Sequence, residues 1–156
     1  MGYLITRNAT TAGAEGGCQA EVGAASAMAA SAAVELFGGT PAQCLDAASF
    51  AIVNILGLVC DPIGGLVENP CQNRNAMGAS NALISAELSM AGIKSITPID
   101  ETIGVMYAVG RSIPSELRET SMGGMAVAKS ACEACAAVQR KLKNEERIVG
   151  KLIKGI

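Results

Sequence analysis

The stretch GCQAEVGAASAMAASAAVELFGG, residues 17–39, decides the fold. Alanine is the strongest helix former, and a run this rich in it predicts a helix from about Gln19 to Phe37. Val22, Met28, Ala29 and Leu36 are available for one face, and Gly38-Gly39 supplies the stop. Immediately after it, Thr40-Pro41-Ala42-Gln43 has the capping-box pattern with proline at the first helical position. That signal opens a second helix running to about Leu58, with Cys60 just beyond its end. Further on, Asn73 to Ala91 has a helical pattern with Met77, Leu83, Ile84, Leu88 and Met90 as core candidates and Gly92 as its stop. Thr97-Pro98-Ile99-Asp100 starts another helix that ends near Gly110. Ser115 to Gly124 reads as a short helical turn and glycine break, and a last helix runs from about Met125 to Arg147 with a solvated, lysine-rich end. Residues 1–17, rich in Gly, Thr and Asn, are expected to be an irregular lead-in, and 128–156 a C-terminal helix and tail. No segment alternates convincingly enough for a strand. The expected architecture is all-α, a single domain over 1–156 built as a compact bundle of about five helices rich in small residues, with irregular cysteine-bearing loops.

Composition narrows the function. The chain has 156 residues, half of them hydrophobic, yet only two Phe, two Tyr and no Trp, so helices approaching closely through small side chains must build the core. A net charge of −2 and a pI near 5.2 lack the basic footprint of a nucleic-acid binder. The apolar run from Ala47 to Cys60 is interrupted by Asn54 and falls short of the roughly 20 residues that cross a bilayer. Tyr3, Thr6, Arg7 and Asn8 do not form a secretory leader, so a cytoplasmic location is expected. In that compartment six unevenly spaced cysteines point to reduced thiols or metal ligands rather than disulfides.

Three of the cysteines sit beside glycine or proline: Cys18 in GGCQAEVG, Cys60 in LVCDP and Cys71 in NPCQNRN. Three thiolates without a fourth partner suggest a metal site that is not fully closed. A metal with an open position is a Lewis acid available to substrate. The strings GCQAEVG (17–23), NILGLVCDPIGGLVENPCQNRNAMG (54–78) and SELRETSMGGMAV (115–127) carry a resemblance to the C-terminal part of the α-chain of the bacterial iron-sulfur L-serine dehydratases. The similarity runs from about Gly2 to Val127. It implies a [4Fe-4S] cluster held by Cys18, Cys60 and Cys71, L-serine as substrate, pyruvate and ammonia as products, and a β-chain or β-domain as partner. It also implies an upstream α-chain portion that holds the family's histidines. This chain has no histidine. The chain is therefore expected to be a fragment or one piece of a divided enzyme, inactive by itself, with an oligomer as a further expectation.

Each candidate has a plainer reading. A buried free cysteine is often a small hydrophobe. Cys44 falls in the helix opened by Pro41, as core or surface. Cys132 and Cys135 form a lone CxxC on a helix, a weak signal for a redox pair or second metal site. Arg74 suits a bidentate grip on a substrate carboxylate, or else a salt bridge or helix cap. Asn75, placed with Arg74 as a tentative substrate contact, and Asn8, Asn54 and Asn73 can hydrogen-bond substrate or cluster sulfides, although caps and turns are the commoner use of Asn. Glu68 and Asp61 are possible bases or turn formers, so the general base is not assigned. Gly64-Gly65 and Gly123-Gly124 lack a phosphate-loop pattern and read as tight turns. Two alternatives stay open: a related iron-sulfur lyase acting on threonine or cysteine, and a non-catalytic helical module holding zinc or a closed cluster.

Overall fold

In a computed structural model that describes the backbone of residues 1–154 and the side chains of residues 1–146, the chain is all-α. Seven α-helices are present among the described residues: α1 Gly2–Asn8, α2 Gly13–Gly16, α3 Cys18–Leu36, α4 Pro41–Val53, α5 Cys71–Met90, α6 Ile99–Ser112 and α7 Lys129–Lys154. Among those residues there is no strand, only an isolated parallel bridge between Cys60 and Arg118.

Helix α3 is the central element. It packs against α4 and α5, α4 packs against α5 and α6, and α2 sits between α3 and α6. Small residues make the contacts: Ala24, Ala27 and Ala30 from α3, Ala47, Ala48 and Ala51 from α4, and Ala82 and Ala86 from α5. Larger side chains, Ile5, Ile52, Ile103 and Met106, fill the space at the margins of these close approaches. Polar groups pair inside. Asn81 donates to Ser26 Oγ at 3.0 Å and to the Ala51 carbonyl at 2.8 Å, and accepts from Asn54 Nδ2 at 2.7 Å. Ser26 in turn donates to the Gly78 carbonyl at 2.8 Å. One asparagine therefore ties α3, α4 and α5 together, and every bond it makes satisfies a group that burial would otherwise leave unpaired.

Several boundaries differ from the sequence expectation. The lead-in is not irregular: α1 anchors through the fully buried Ile5, and α2 is built from glycines whose lack of side chains lets α3 and α6 close on it. The Thr40–Gln43 capping box is present as expected, but α4 stops at Val53 rather than Leu58. Asn54 turns its side chain to Asn81, and Gly57 adopts φ +85°, so the chain curls before it reaches Cys60. Helix α5 begins at Cys71, earlier than Asn73, and α6 runs on to Ser112. Residues 124–127 form a separate 3₁₀ turn ahead of α7. The lysine-rich end from 147 onward lies outside the residues whose side chains are described.

The expected core faces are also corrected. Met28 on α3 and Met77, Leu83 and Ile84 on α5 are exposed, and Leu36 is 84% exposed, whereas Val22 is buried and Met90 packs against the core from its edge. On α5 the buried positions are Cys71 at its start and then Gly78, Asn81, Ala82, Ser85, Ala86 and Ser89. Two adjoining periods exist on this helix, one of large apolar residues and one of small residues. The neighbouring helices come so close that only the small one fits.

Glycine contacts give a direct check. A methyl at Gly110 on α6 would lie 2.8 Å from Gly16 Cα and 3.0 Å from the Gly16 carbonyl oxygen, and backbone atoms cannot step aside. At Gly104, on the exposed side of the same helix, there is open space. Gly110→Ala should destabilise the chain by about 1–3 kcal/mol through overpacking, while Gly104→Ala should stabilise it by up to about 1 kcal/mol through helix propensity. Urea unfolding midpoints of the two variants check both signs.

Candidate metal centre

The N-terminal ends of α3 and α5 carry Cys18 and Cys71 as their first residues. Helix N-termini present unpaired N–H groups and the positive end of the dipole, which favour a thiolate. Cys60 comes from the segment between α4 and α5 and is clamped from both sides. Its N–H donates to the Leu117 carbonyl at 2.8 Å, and its carbonyl accepts from Glu119 N–H at 2.7 Å. The string 115–127 thus belongs with the cysteines because its backbone holds Cys60. Glu119 takes φ +65° to make this contact, a left-handed conformation that costs a non-glycine residue of order 1 kcal/mol or more and is characteristic of functional sites.

Cys18 is brought to the same place by Gly17 and Gln19. Gly17 has φ +75°, and a methyl there would meet the Leu58 carbonyl at 2.7 Å. Gln19 N–H donates to that carbonyl at 2.9 Å. The Gln19 side chain, fully buried, donates to the Met106 carbonyl at 2.7 Å and accepts from Gly57 N–H at 2.9 Å. This residue was missed in the sequence, where it reads as one more polar residue of a helix. Its position directly after Cys18, at the start of an alanine-rich helix, was the available signal.

The Cys18 and Cys60 sulfurs and a Glu21 carboxylate oxygen lie within 4.8 Å of one another. A methyl added to Gly13 would sit 3.1 Å from Glu21 Oε2, 3.2 Å from Cys60 Sγ and 3.5 Å from Glu119 Oε2, so glycine leaves a space bordered by two carboxylates and a thiol. Cys71, expected from the sequence to join Cys18 and Cys60, is buried at the start of α5 but lies outside this 4.8 Å group. Arg74, one turn into α5, donates from NH1 to Asp61 Oδ1 at 2.6 Å and to the Val59 carbonyl at 2.8 Å, and reaches Cys18 Sγ at 3.8 Å. These soft, buried sulfur donors fit a thiophilic metal or an iron-sulfur cluster.

Ionisation is uneven. A hydrogen bond from Cys60 lowers the Cys18 thiol most; burial opposes it, and the hydrogen bond and charge of Arg74 add to the lowering, leaving it at about 7. Cys60 is pushed up because its proton is held by Cys18, then by burial and by the charges of Cys18, Glu119 and Glu21. Burial, followed by the charge of Cys18, raises Cys71. For Arg74 burial works to lower the pKa, but Asp61 and Cys18 outweigh it and hold the guanidinium firmly charged.

The other candidates lie elsewhere. Asn75 is exposed and lines a shallow groove between α3 and α5 with Val22, Ser26 and Gly78. Asn54 bonds Asn81, and Asn8 donates to the Leu4 carbonyl inside α1. Cys44 packs at the edge of the main core. Glu68 faces a cleft against α7 that also contains Cys135, while Cys132 reaches the Ala126 carbonyl. Asp61 is engaged with Arg74 and with Met125 N–H. Gly64, Gly65 and Gly124 have positive φ and form the tight turns expected of them.

Comparison with known proteins places this geometry. The family model described as serine dehydratase alpha chain matches residues 1–126, a span that contains all three cysteines and Arg74. The chain is similar to the probable L-serine dehydratase, alpha chain, of Bacillus subtilis, with 56% identity over 126 residues covering 81% of this chain and 42% of that protein. It is similar to the L-serine dehydratase, alpha chain, of Peptoniphilus asaccharolyticus, at 58% identity covering 83% of this chain and 44% of the relative. An L-serine dehydratase of Escherichia coli is 43% identical over 128 residues, 81% of this chain and 28% of that protein. The chain spans less than half the length of these relatives. Helix α7 lies beyond the matched residues, and no helix among the described residues is long and apolar enough to cross a membrane.

The uneven ionisation gives a pH test. A depressed thiol is ionised above its folded value, so in the metal-free chain one thiolate should appear in a step centred near pH 7, ahead of the remaining cysteines. Ultraviolet thiolate absorbance followed from pH 6 to 9 reads it. Cys18→Ser should abolish the early step, and Cys60→Ala should move it upward by removing the side chain that donates to Cys18.

Proposed function

This chain belongs to the serine dehydratase alpha chain family, and on that premise we propose that it is the cluster-binding part of an enzyme that converts L-serine to pyruvate and ammonia. The observation that carries the reading is the gathering of Cys18, Cys60 and Glu21 within 4.8 Å, inside the residues that match the family, with Cys71 buried at the start of α5, the helix packed against α3. Cys18, Cys60 and Cys71 would hold a [4Fe-4S] cluster, which supplies Lewis-acid activation of the serine hydroxyl, a poor leaving group. A β-chain or β-domain and further α-chain sequence complete the enzyme in this reading, and the location is the cytoplasm.

The chain's own residues supply the rest of the environment. The backbone of Leu117 and Glu119 fixes Cys60, Gln19 fixes the start of α3, and Arg74 keeps positive charge beside Cys18. Loss of the serine α-proton needs an acceptor. Of the two acids considered from the sequence, Asp61 is paired with Arg74, and Glu68 faces α7. The carboxylates that border the sulfur site are Glu21 and Glu119. We assign proton acceptance to one of these two.

Two measurements test this. In anaerobically reconstituted enzyme, Cys60→Ser should lose most of the visible cluster absorbance and serine turnover together, because a hydroxyl poorly replaces a soft thiolate, while Cys44→Ser keeps both. Normal iron content and turnover in Cys60→Ser would sink the ligand assignment. Among Glu21→Gln and Glu119→Gln, the variant that removes the acceptor should keep its iron and lose about 10²–10⁴-fold in kcat. Full turnover in both removes these carboxylates from the reaction.

A further inference from the structure

Arg74 stands where three stretches of chain meet. NH1 alone serves the Asp61 carboxylate, the Val59 carbonyl and the Cys18 sulfur, and the residue's backbone lies one turn beyond Cys71 in α5. Asp61 directly follows Cys60 and is as well engaged: its other oxygen accepts from Met125 N–H at 2.6 Å, which draws in the 121–127 segment. Ser121 fastens the same segment by donating to the Pro62 carbonyl at 2.6 Å. The Asp61 side chain is 3% exposed and that of Arg74 15%.

Stability does not account for such a pair. Removing two charges from water costs about as much as their attraction returns, and neutral replacement of both is often harmless, whereas removing one partner strands a buried charge. What this pair provides is position. It links the segments bearing Cys18, Cys60 and Cys71 through a single nitrogen, and it aims an N–H at a sulfur.

We propose that Arg74 and Asp61 are positioning residues of the three-cysteine site, with Asp61 aiming the guanidinium and Arg74 holding the cysteine-bearing segments in register and donating to the Cys18 sulfur. The inference rests on the cluster reading of the site. Hydrogen bonds and positive charge at a ligand sulfur stabilise the reduced, more negative form of a cluster, so their loss lowers its midpoint potential.

The test uses the 156-residue chain reconstituted anaerobically with iron and sulfide, measuring iron per chain, the electron paramagnetic resonance signal and midpoint potential of the reduced cluster, and urea unfolding of the metal-free protein. Arg74→Gln should bind at least fivefold less iron than the unaltered chain and unfold earlier. The charge-neutral pair Asp61→Asn with Arg74→Gln should recover the unfolding midpoint but not the iron, and the cluster that does form should have a lower potential and an altered signal. If the double variant recovers iron content, signal and potential together with stability, the pair is structural and the inference is overturned. Unaltered loading and potential in Arg74→Gln overturns it as well and leaves the cluster reading standing. Failure of the unaltered chain to take up any cluster overturns the cluster reading first, and the inference with it.

Discussion

The distance between α3, α4 and α5 governs the rest of the structure. Helices that meet through Ala27, Ala30, Ala48, Ala51, Ala82 and Ala86 bring their backbones close, and at that range a serine hydroxyl or an asparagine amide reaches a carbonyl on the neighbouring helix. The core therefore combines small apolar contacts with the Asn81 network. Dispersion and burial give the first part its stability, and hydrogen-bond geometry fixes the register of the second. The larger apolar residues of α5 are left outside because no leucine fits where Ala82 and Ser85 pass their neighbours.

A rigid helical frame carries the three cysteines, distant in sequence, and brings Cys18 and Cys60 within 4.8 Å of each other. Two of them start helices, so the frame sets their places directly. Cys60 lies in an irregular segment and needs separate restraint, supplied by the backbone of Leu117 and Glu119 and by the Arg74–Asp61 pair. The left-handed backbone at Glu119 is stable only because surrounding contacts determine it, and it carries a carboxylate to the edge of the sulfur site.

The sequence made the helical class plain, because capping residues, glycine stops and alanine runs are local signals. The Thr40–Gln43 cap and the position of Cys18 at a helix start followed from them, whereas Cys71, expected in a loop ahead of Asn73, is the first residue of α5. Which face of α5 is buried was not legible. That choice depends on the distance to α3 and α4, a tertiary quantity, and a periodicity of large residues pointed to the wrong face. Helices α1 and α2 were hidden for the same reason, since glycine reads as a breaker until a close neighbour makes its missing side chain useful. At the site the three cysteines stood out by context, while Gln19, Glu21 and Glu119 did not. Glu119 acquires its place through a bridge between residues far apart in the chain, and no local pattern announces it.

Charge explains why such a site calls for a metal. Cys18, Cys60, Cys71, Glu21 and Glu119 are all acids that become negative on ionisation, and Arg74, the cation that reaches Cys18, is already paired with Asp61. Without further positive charge the contacting thiols share a proton: Cys18 gives its own up near pH 7, and Cys60 keeps its proton because a second thiolate beside the first would be unscreened. A bound metal reverses this balance, since coordination deprotonates a thiol outright. If Cys18, Cys60 and Cys71 are the ligands, as proposed, metal uptake releases protons, chiefly from the thiols whose ionisation the metal-free chain opposes, and affinity should rise with pH. The hydrogen bond from Cys60, and after it Arg74, favours the Cys18 thiolate, so in that reading Cys18 is the thiolate already prepared for a metal and Cys60 the thiol that a metal would have to ionise.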